Sequence, residues 1–267
     1  MSARPLAVVT GASTGIGYHL ARCAAADGHD LIIVARGEEI EARAAELAEY
    51  GVAVEAVRAD LGTAEGCDTL MARLEARAVA LFMANAGSGL GGAFLDQDYM
   101  KAKQVIDLNC VGTARLLHDI GRGMRARGSG RILVTGSIVD RIPGPFNAVY
   151  NASKAFIDSL AYALRNELKD SGVTVTVLMP GLTDTEFFGD AGMDGSNAAE
   201  SKMKDDPEDV ARDGYRAMLA GKSGVVGGNF GNRVQHALAG VLPDTLLAEM
   251  HRFLAGGAKG EKAVADP

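Results

Sequence analysis

The chain has 267 residues, 48% hydrophobic and 23% charged, with a formal net charge of -7. This size and apolar content suit one α/β domain with a large core and exclude disorder. The acidic balance leaves no domain-scale basic surface for a phosphate backbone, which argues against nucleic acid as a partner.

The amino terminus reaches the apolar run Leu6–Val9 with no leader of signal-peptide length. No run approaches the ~20 apolar residues of a membrane-spanning helix. Cys23, Cys67 and Cys110 lie in separate segments and fit free thiols better than a disulfide framework. A cytoplasmic protein with no membrane partner is expected.

In chain order, strands are expected at 6–10, 30–35, 52–58, 79–84, 131–135 and 173–179, with a short last one at 224–226. Between them, helical patterns cover 15–28, 38–50, 63–77, 99–127, 151–171 and 207–220. Continuous apolar strands alternating with helices imply a parallel sheet of about seven strands covered on both faces: a single doubly wound Rossmann domain over 1–254. Residues 180–206 are polar and irregular, the pattern of a substrate lid. Residues 229–254 are amphipathic C-terminal helices, and 255–267 form an expected disordered tail.

The turn after the first strand reads Thr10-Gly11-Ala12-Ser13-Thr14-Gly15-Ile16-Gly17. Gly11 permits a tight turn, Gly15 a close backbone approach to pyrophosphate, and Gly17 close packing of helix on strand. The helix N-terminus, with Ser13, Thr14 and Ile16, supplies free N–H groups to an anion. At the end of the second strand an NAD enzyme would place a carboxylate for the ribose hydroxyls. Here Ala35 is followed by Arg36. A guanidinium there suits a 2′-phosphate, so NADP(H) is expected in preference to NAD(H); the alternative is a solvated arginine at a helix start.

Tyr150-Asn151-Ala152-Ser153-Lys154 places a phenol and an ammonium on one helix face. A free tyrosine has a pKa near ~10, and about three units of lowering require ~4 kcal/mol of differential stabilisation. A neighbouring ammonium and an oxidised nicotinamide both act in that direction. Just past the fifth strand, the hydroxyl of Ser137 is placed to stabilise charge developing on a substrate oxygen. Asn109 is a polar residue between apolar neighbours on the long helix.

With these motifs the chain resembles the short-chain dehydrogenase/reductase family, in its single-domain form. The likeness runs from Leu6 to about Val226 and weakens in the lid and the C-terminal helices. It implies an oxidoreductase that interconverts a small-molecule alcohol and its carbonyl compound, with Tyr150 as acid/base and Lys154 on the nicotinamide ribose. It also implies that Asn109 holds a water passing protons through Lys154, against the plainer reading of a buried residue kinking its helix. Asp60 and Leu61 match the family's adenine-side contact, although Asp60 would equally cap the next helix. Asn85, Ala86 and Gly87 match the segment lining the cofactor. Pro180, Gly181 and Thr183 match the segment beside the carboxamide.

A homodimer or homotetramer built on the two long helices is implied as well. The rival reading is a non-catalytic dinucleotide-binding regulator on the same fold. Phe146, Phe187, Phe188, Met193 and Met203 either form an apolar substrate pocket or pack the lid. His19 and Cys23 share a helix face without a further ligand pair, so no metal site is expected.

Overall fold

The computed structural model describes residues 4–75, 77–201 and 203–256. Its seven strands are β1 (Leu6–Thr10), β2 (Asp30–Ala35), β3 (Val54–Arg58), β4 (Val79–Ala84), β5 (Gly130–Thr135), β6 (Val173–Met179) and β7 (Gly224–Val226). They form one parallel sheet in the order β3-β2-β1-β4-β5-β6-β7. Strand order reverses between β1 and β4. Such a switch point opens a crevice at the carboxyl ends of the strands.

Side chains alternate across a strand, so each apolar strand feeds both faces of the sheet. Leu6, Val8, Ile32, Val34, Phe82 and Ile132 pack on one side. That side is covered by α3 (Ala64–Arg73), α5 (Thr113–Arg127) and α6 (Ala148–Glu167). Ala7, Val9, Leu31, Ile33, Met83 and Leu133 pack on the other, under α1 (Gly15–Ala26), α2 (Glu39–Ala48) and α8 (Pro207–Leu219). Two dry layers explain why these strands read as unbroken apolar runs.

The helix expected at 99–127 is continuous but not uniform. α4 (Tyr99–Ile106) passes through a π-helical segment, Asp107–Gly112, into α5. A Cβ on Gly112 would lie 1.9 Å from the Leu61 carbonyl, so this segment crosses the chain after β3 at backbone contact. Short π segments inside α-helices are frequent at functional sites.

Segment 180–206 contains the short α7 (Phe187–Asp190) and is tied at its base, where Thr183 bridges Asp205. α9 (Phe230–Ala239) and α10 (Asp244–Ala255) complete the described chain. Ala255 ends α10, and the Gly256 carbonyl accepts from the Asn197 N–H at 3.0 Å. The expected disordered tail therefore loses its first two residues to ordered structure, and 257–267 lie outside the described residues. Among the described residues, no helix is long and apolar enough to cross a membrane.

Candidate active site

A cleft of about 1010 Å³ opens at the carboxyl ends of the strands. At one end its wall is the β1–α1 turn, with Gly11, Ser13, Thr14, Gly15 and Ile16. Gly17 lies behind the wall, where a Cβ would stand 2.0 Å from the Gly11 carbonyl oxygen. Thr14 precedes α1 in extended conformation, yet its side chain caps nothing, and the first turn carries no acidic residue. The opening N–H groups of α1 are thus left for an anion in the cleft. A glycine cradle at an uncapped helix start fits the pyrophosphate of a dinucleotide.

Asn85 lines the cleft, but its side chain is committed as a brace. Its amide Nδ2 donates to the carbonyls of Thr10 and Gly11, both at 3.2 Å, and its Oδ1 accepts from Thr135 Oγ1 at 3.1 Å. Ala86, Gly87, Pro180, Gly181 and Thr183 complete this stretch of wall. Arg36, Asp60 and Leu61 lie off it. Arg36 is exposed past the end of β2, and its carbonyl accepts from Arg58 Nε at 3.2 Å. Asp60 turns the chain by accepting from the Gly62 N–H, and Thr63 caps α3 by accepting from the Gly66 N–H. Arg43, unremarkable in an Ala/Glu/Arg helix, holds the turn by donating to the Ser13 carbonyl at 3.0 Å. Only the folded chain brings those two together.

At the other end, α6 starts at Ala148, earlier than its sequence pattern suggests, and Tyr150 stands in its first turn. Lys154 follows on the same face, buried, with Nζ donating to the Thr135 carbonyl at 2.8 Å and 5.6 Å from the centre of the Tyr150 ring. Ser137 is buried on the same wall. Asn109 lies just behind it, in the π-helical segment. Its Oδ1 accepts from the Ser88 N–H, and its Nδ2 donates to the Ser88 carbonyl and to Ser153 Oγ, each at 2.9 Å. The Asn109 side chain therefore pins the loop after β4 to α6.

The electrostatics differ from the sequence expectation. Burial pushes the Tyr150 phenol up to about 12, with the Asp158 carboxyl adding to the rise and a hydrogen bond with Ser137 opposing it. Lys154 does not lower it in the chain alone, because burial also holds the Lys154 ammonium below its usual range. Asp158, one turn beyond Lys154, is itself raised by burial and by Asp140. Sequence reasoning passed over Asp158, because an acidic residue on a helix normally reads as solvated.

Beyond Tyr150 the wall turns apolar. The Phe187 ring lies 5.0 Å from the Tyr150 ring, and Phe187 packs edge-on against Phe188. Phe188 and Met193 also reach the cleft, whereas Met203 is exposed elsewhere and Phe146 lies off the wall. α9 and α10 form the rest of the roof. α10 is tied in by the Ala198 N–H to Leu254 carbonyl bond and by Asn197 Nδ2 to the Phe253 carbonyl.

A family model described as "short chain dehydrogenase" matches residues 5–194. The chain belongs to the short-chain dehydrogenase family. It is similar to human 17-beta-hydroxysteroid dehydrogenase type 1, 33% identical over 70% of this chain and 59% of that protein. It is also similar to a very-long-chain 3-oxoacyl-CoA reductase of Neurospora crassa, 30% identical over 67% of this chain and 56% of that one. The chain thus spans between half and two thirds of the length of these curated relatives. A solved short-chain dehydrogenase of Sphingobium yanoikuyae in complex with NADPH superposes with a TM-score of 0.77 at 31% identity, covering 83% of this chain and 87% of the other.

The span shared with the short-chain dehydrogenase model includes Ser137, Tyr150 and Lys154. α8, α9 and α10 lie beyond it. Of the apolar part of the cleft, Phe187, Phe188 and Met193 lie within that span, and α9 and α10 lie beyond it.

Proposed function

We propose that this short-chain dehydrogenase interconverts a bulky, uncharged apolar alcohol and its ketone or aldehyde, with NADP(H) preferred over NAD(H) and Tyr150 as acid/base. The observation that carries the reading is one continuous cleft, with an anion-ready helix start at one end and Ser137, Tyr150 and Lys154 at the other. The NADPH bound by the Sphingobium dehydrogenase supports the cofactor class, and Arg36 beside Ala35 supports the phosphorylated form.

The β1–α1 turn would hold the pyrophosphate, Arg36 the 2′-phosphate, and Lys154 and Thr183 the nicotinamide half. When bound, this cofactor supplies hydride to the carbonyl carbon or takes it back. Tyr150, held protonated at neutral pH by burial, gives its proton to the oxygen as negative charge develops there. The Ser137 hydroxyl donates to the same oxygen and stabilises that charge. Lys154 returns a proton to Tyr150, and Asn109 fixes the loop beside it. In oxidation the relay runs backwards: Tyr150 passes its own proton to a neutral Lys154 and takes the proton of the alcohol as hydride leaves the carbon.

Among the described residues, Lys154 is the one lysine or arginine on the cleft wall, while Glu186 and Asp190 stand at its rim. The wall beyond Lys154 thus offers a phosphate, carboxylate or CoA tail no lysine or arginine, Lys204 lying off it over the Phe188 ring, which supports an uncharged substrate. The name of the human relative, a hydroxysteroid dehydrogenase, supports bulk.

Exposed Tyr99, Met100, Val111 and Phe156 on α4, its π-helical continuation and α6 support a homodimer or homotetramer built on those helices. The three free cysteines support a cytoplasmic setting.

The test is reduced-nicotinamide absorbance over a panel of bulky ketones with both cofactors. Tyr150→Phe should lower kcat by a factor on the order of 10²–10⁴ while dinucleotide Kd stays within a few fold. Near-normal turnover in that variant overturns the assignment.

A further inference from the structure

His251 stands on the substrate side of the cleft, on α10, only 7% exposed. Its Nδ1 is 3.2 Å from the Pro145 carbonyl oxygen. A carbonyl only accepts, so Nδ1 carries the hydrogen, and burial keeps the ring neutral by lowering its pKa. The second nitrogen, Nε2, is then a lone-pair acceptor, and it has no hydrogen-bond partner among the described residues. The same roof contributes Val234, Leu238, Leu242, Leu247 and Met250 to the cleft. His251 lines the cleft, so this acceptor is available to a donor carried by a ligand there.

The ring is also held in fixed relation to the reacting centre. Pro145 lies in the turn that runs into α6 a few residues before Tyr150. The next residue, Phe146, is held at φ 62, a left-handed conformation costly for an aromatic side chain. Arg252, the neighbour of His251, places its guanidinium 5.1 Å from the centre of the Phe146 ring. Consecutive residues of α10 thus grip consecutive residues of the turn that leads into the catalytic helix.

We propose that His251 is a specificity residue, whose Nε2 accepts a hydrogen bond from a hydroxyl carried by the substrate at the end remote from its carbonyl group. The inference rests on the redox reading above and narrows it to bulky apolar carbonyl compounds with a distal hydroxyl. Its alternative is a histidine that only pins α10 to the turn.

The test uses a matched pair of bulky ketones, with and without the distal hydroxyl, on the wild type and on His251→Asn. Asparagine keeps an N–H where Nδ1 was, preserving the tie to Pro145, and removes the Nε2 acceptor. In the wild type the hydroxylated ketone should show kcat/KM about tenfold or more above its partner, and in His251→Asn that ratio should collapse toward one. Calorimetric binding of both compounds should follow the same order without turnover. Equal kcat/KM and equal binding for the two ketones in the wild type overturn the proposal, as does a ratio that survives in His251→Asn. A variant that loses activity on both ketones equally identifies a pinning role and also overturns it. Selective binding without any turnover upholds the subsite and overturns the redox reading instead.

Discussion

Gly136 and Asp158 occupy one space: a Cβ on Gly136 would stand 2.0 Å from Asp158 Oδ1. Asp158 is 2% exposed, and neither carboxyl oxygen has a hydrogen-bond partner among the described residues. The turn that carries Ser137 therefore passes directly over a buried carboxyl on α6. Gly136→Ala should cost about 1–3 kcal/mol by overpacking and displace the adjacent Ser137. Urea unfolding and steady-state kinetics check it, with a lower midpoint and a lower kcat expected together.

Asp158 also sets a pH dependence. In the folded chain its carboxyl is pushed up to about 8, against ~3.9 for an unfolded aspartate. Between those values the folded state holds a proton that the unfolded state has released, so stability falls as pH rises through that window. Asp158→Asn removes this contribution. The wild type should lose stability relative to the variant between pH ~5 and ~8, read from urea midpoints at each pH. Parallel curves would mean that the carboxyl titrates normally.

Asn109→Ala leaves the Ser88 N–H and carbonyl and the Ser153 hydroxyl without their present partner. Unpairing a buried polar group costs about 1–3 kcal/mol. The freed Gly87–Ser88 loop borders Lys154, where a Cβ on Gly87 would stand 3.6 Å from Nζ. We expect a lower melting temperature, a lower kcat and a raised KM for the dinucleotide. A variant with unchanged dinucleotide KM would limit Asn109 to stability alone.

Arg36→Glu replaces the proposed 2′-phosphate partner with a carboxylate suited to ribose hydroxyls. A charge-assisted hydrogen bond contributes about 1.5–3 kcal/mol, so the ratio of kcat/KM for NADPH over NADH should fall by roughly 10–100-fold. An unchanged ratio would assign the phosphate to another cation, with Arg58 a candidate, since it donates to the Arg36 carbonyl.

Much of the fold and part of the site are legible along the chain. β1, β2, β4 and β6 begin and end near the limits of apolar runs, because a strand buried on both faces has little room for polar side chains. The pairing of Tyr150 with Lys154 is legible because helical spacing alone puts them on one face of α6. The π-helical turn at Asn109 was not, since the segment packs at backbone contact with Leu61, far away in sequence, through Gly112. Arg43, Asp158 and His251 escaped for the same reason. Each is an ordinary residue on an amphipathic helix until a partner from elsewhere meets it.

The amino-acid sequence alone determined a parallel doubly wound sheet, a glycine turn at the first helix and a tyrosine–lysine pair, because these follow from local periodicity and residue chemistry. The tertiary structure alone decided how far each group is dried. Burial raises Tyr150 and Asp158 and lowers Lys154, and that depends on which distant segments pack over them. It likewise placed α10 over the cleft, where an imidazole tied to Pro145 faces the space a substrate would fill.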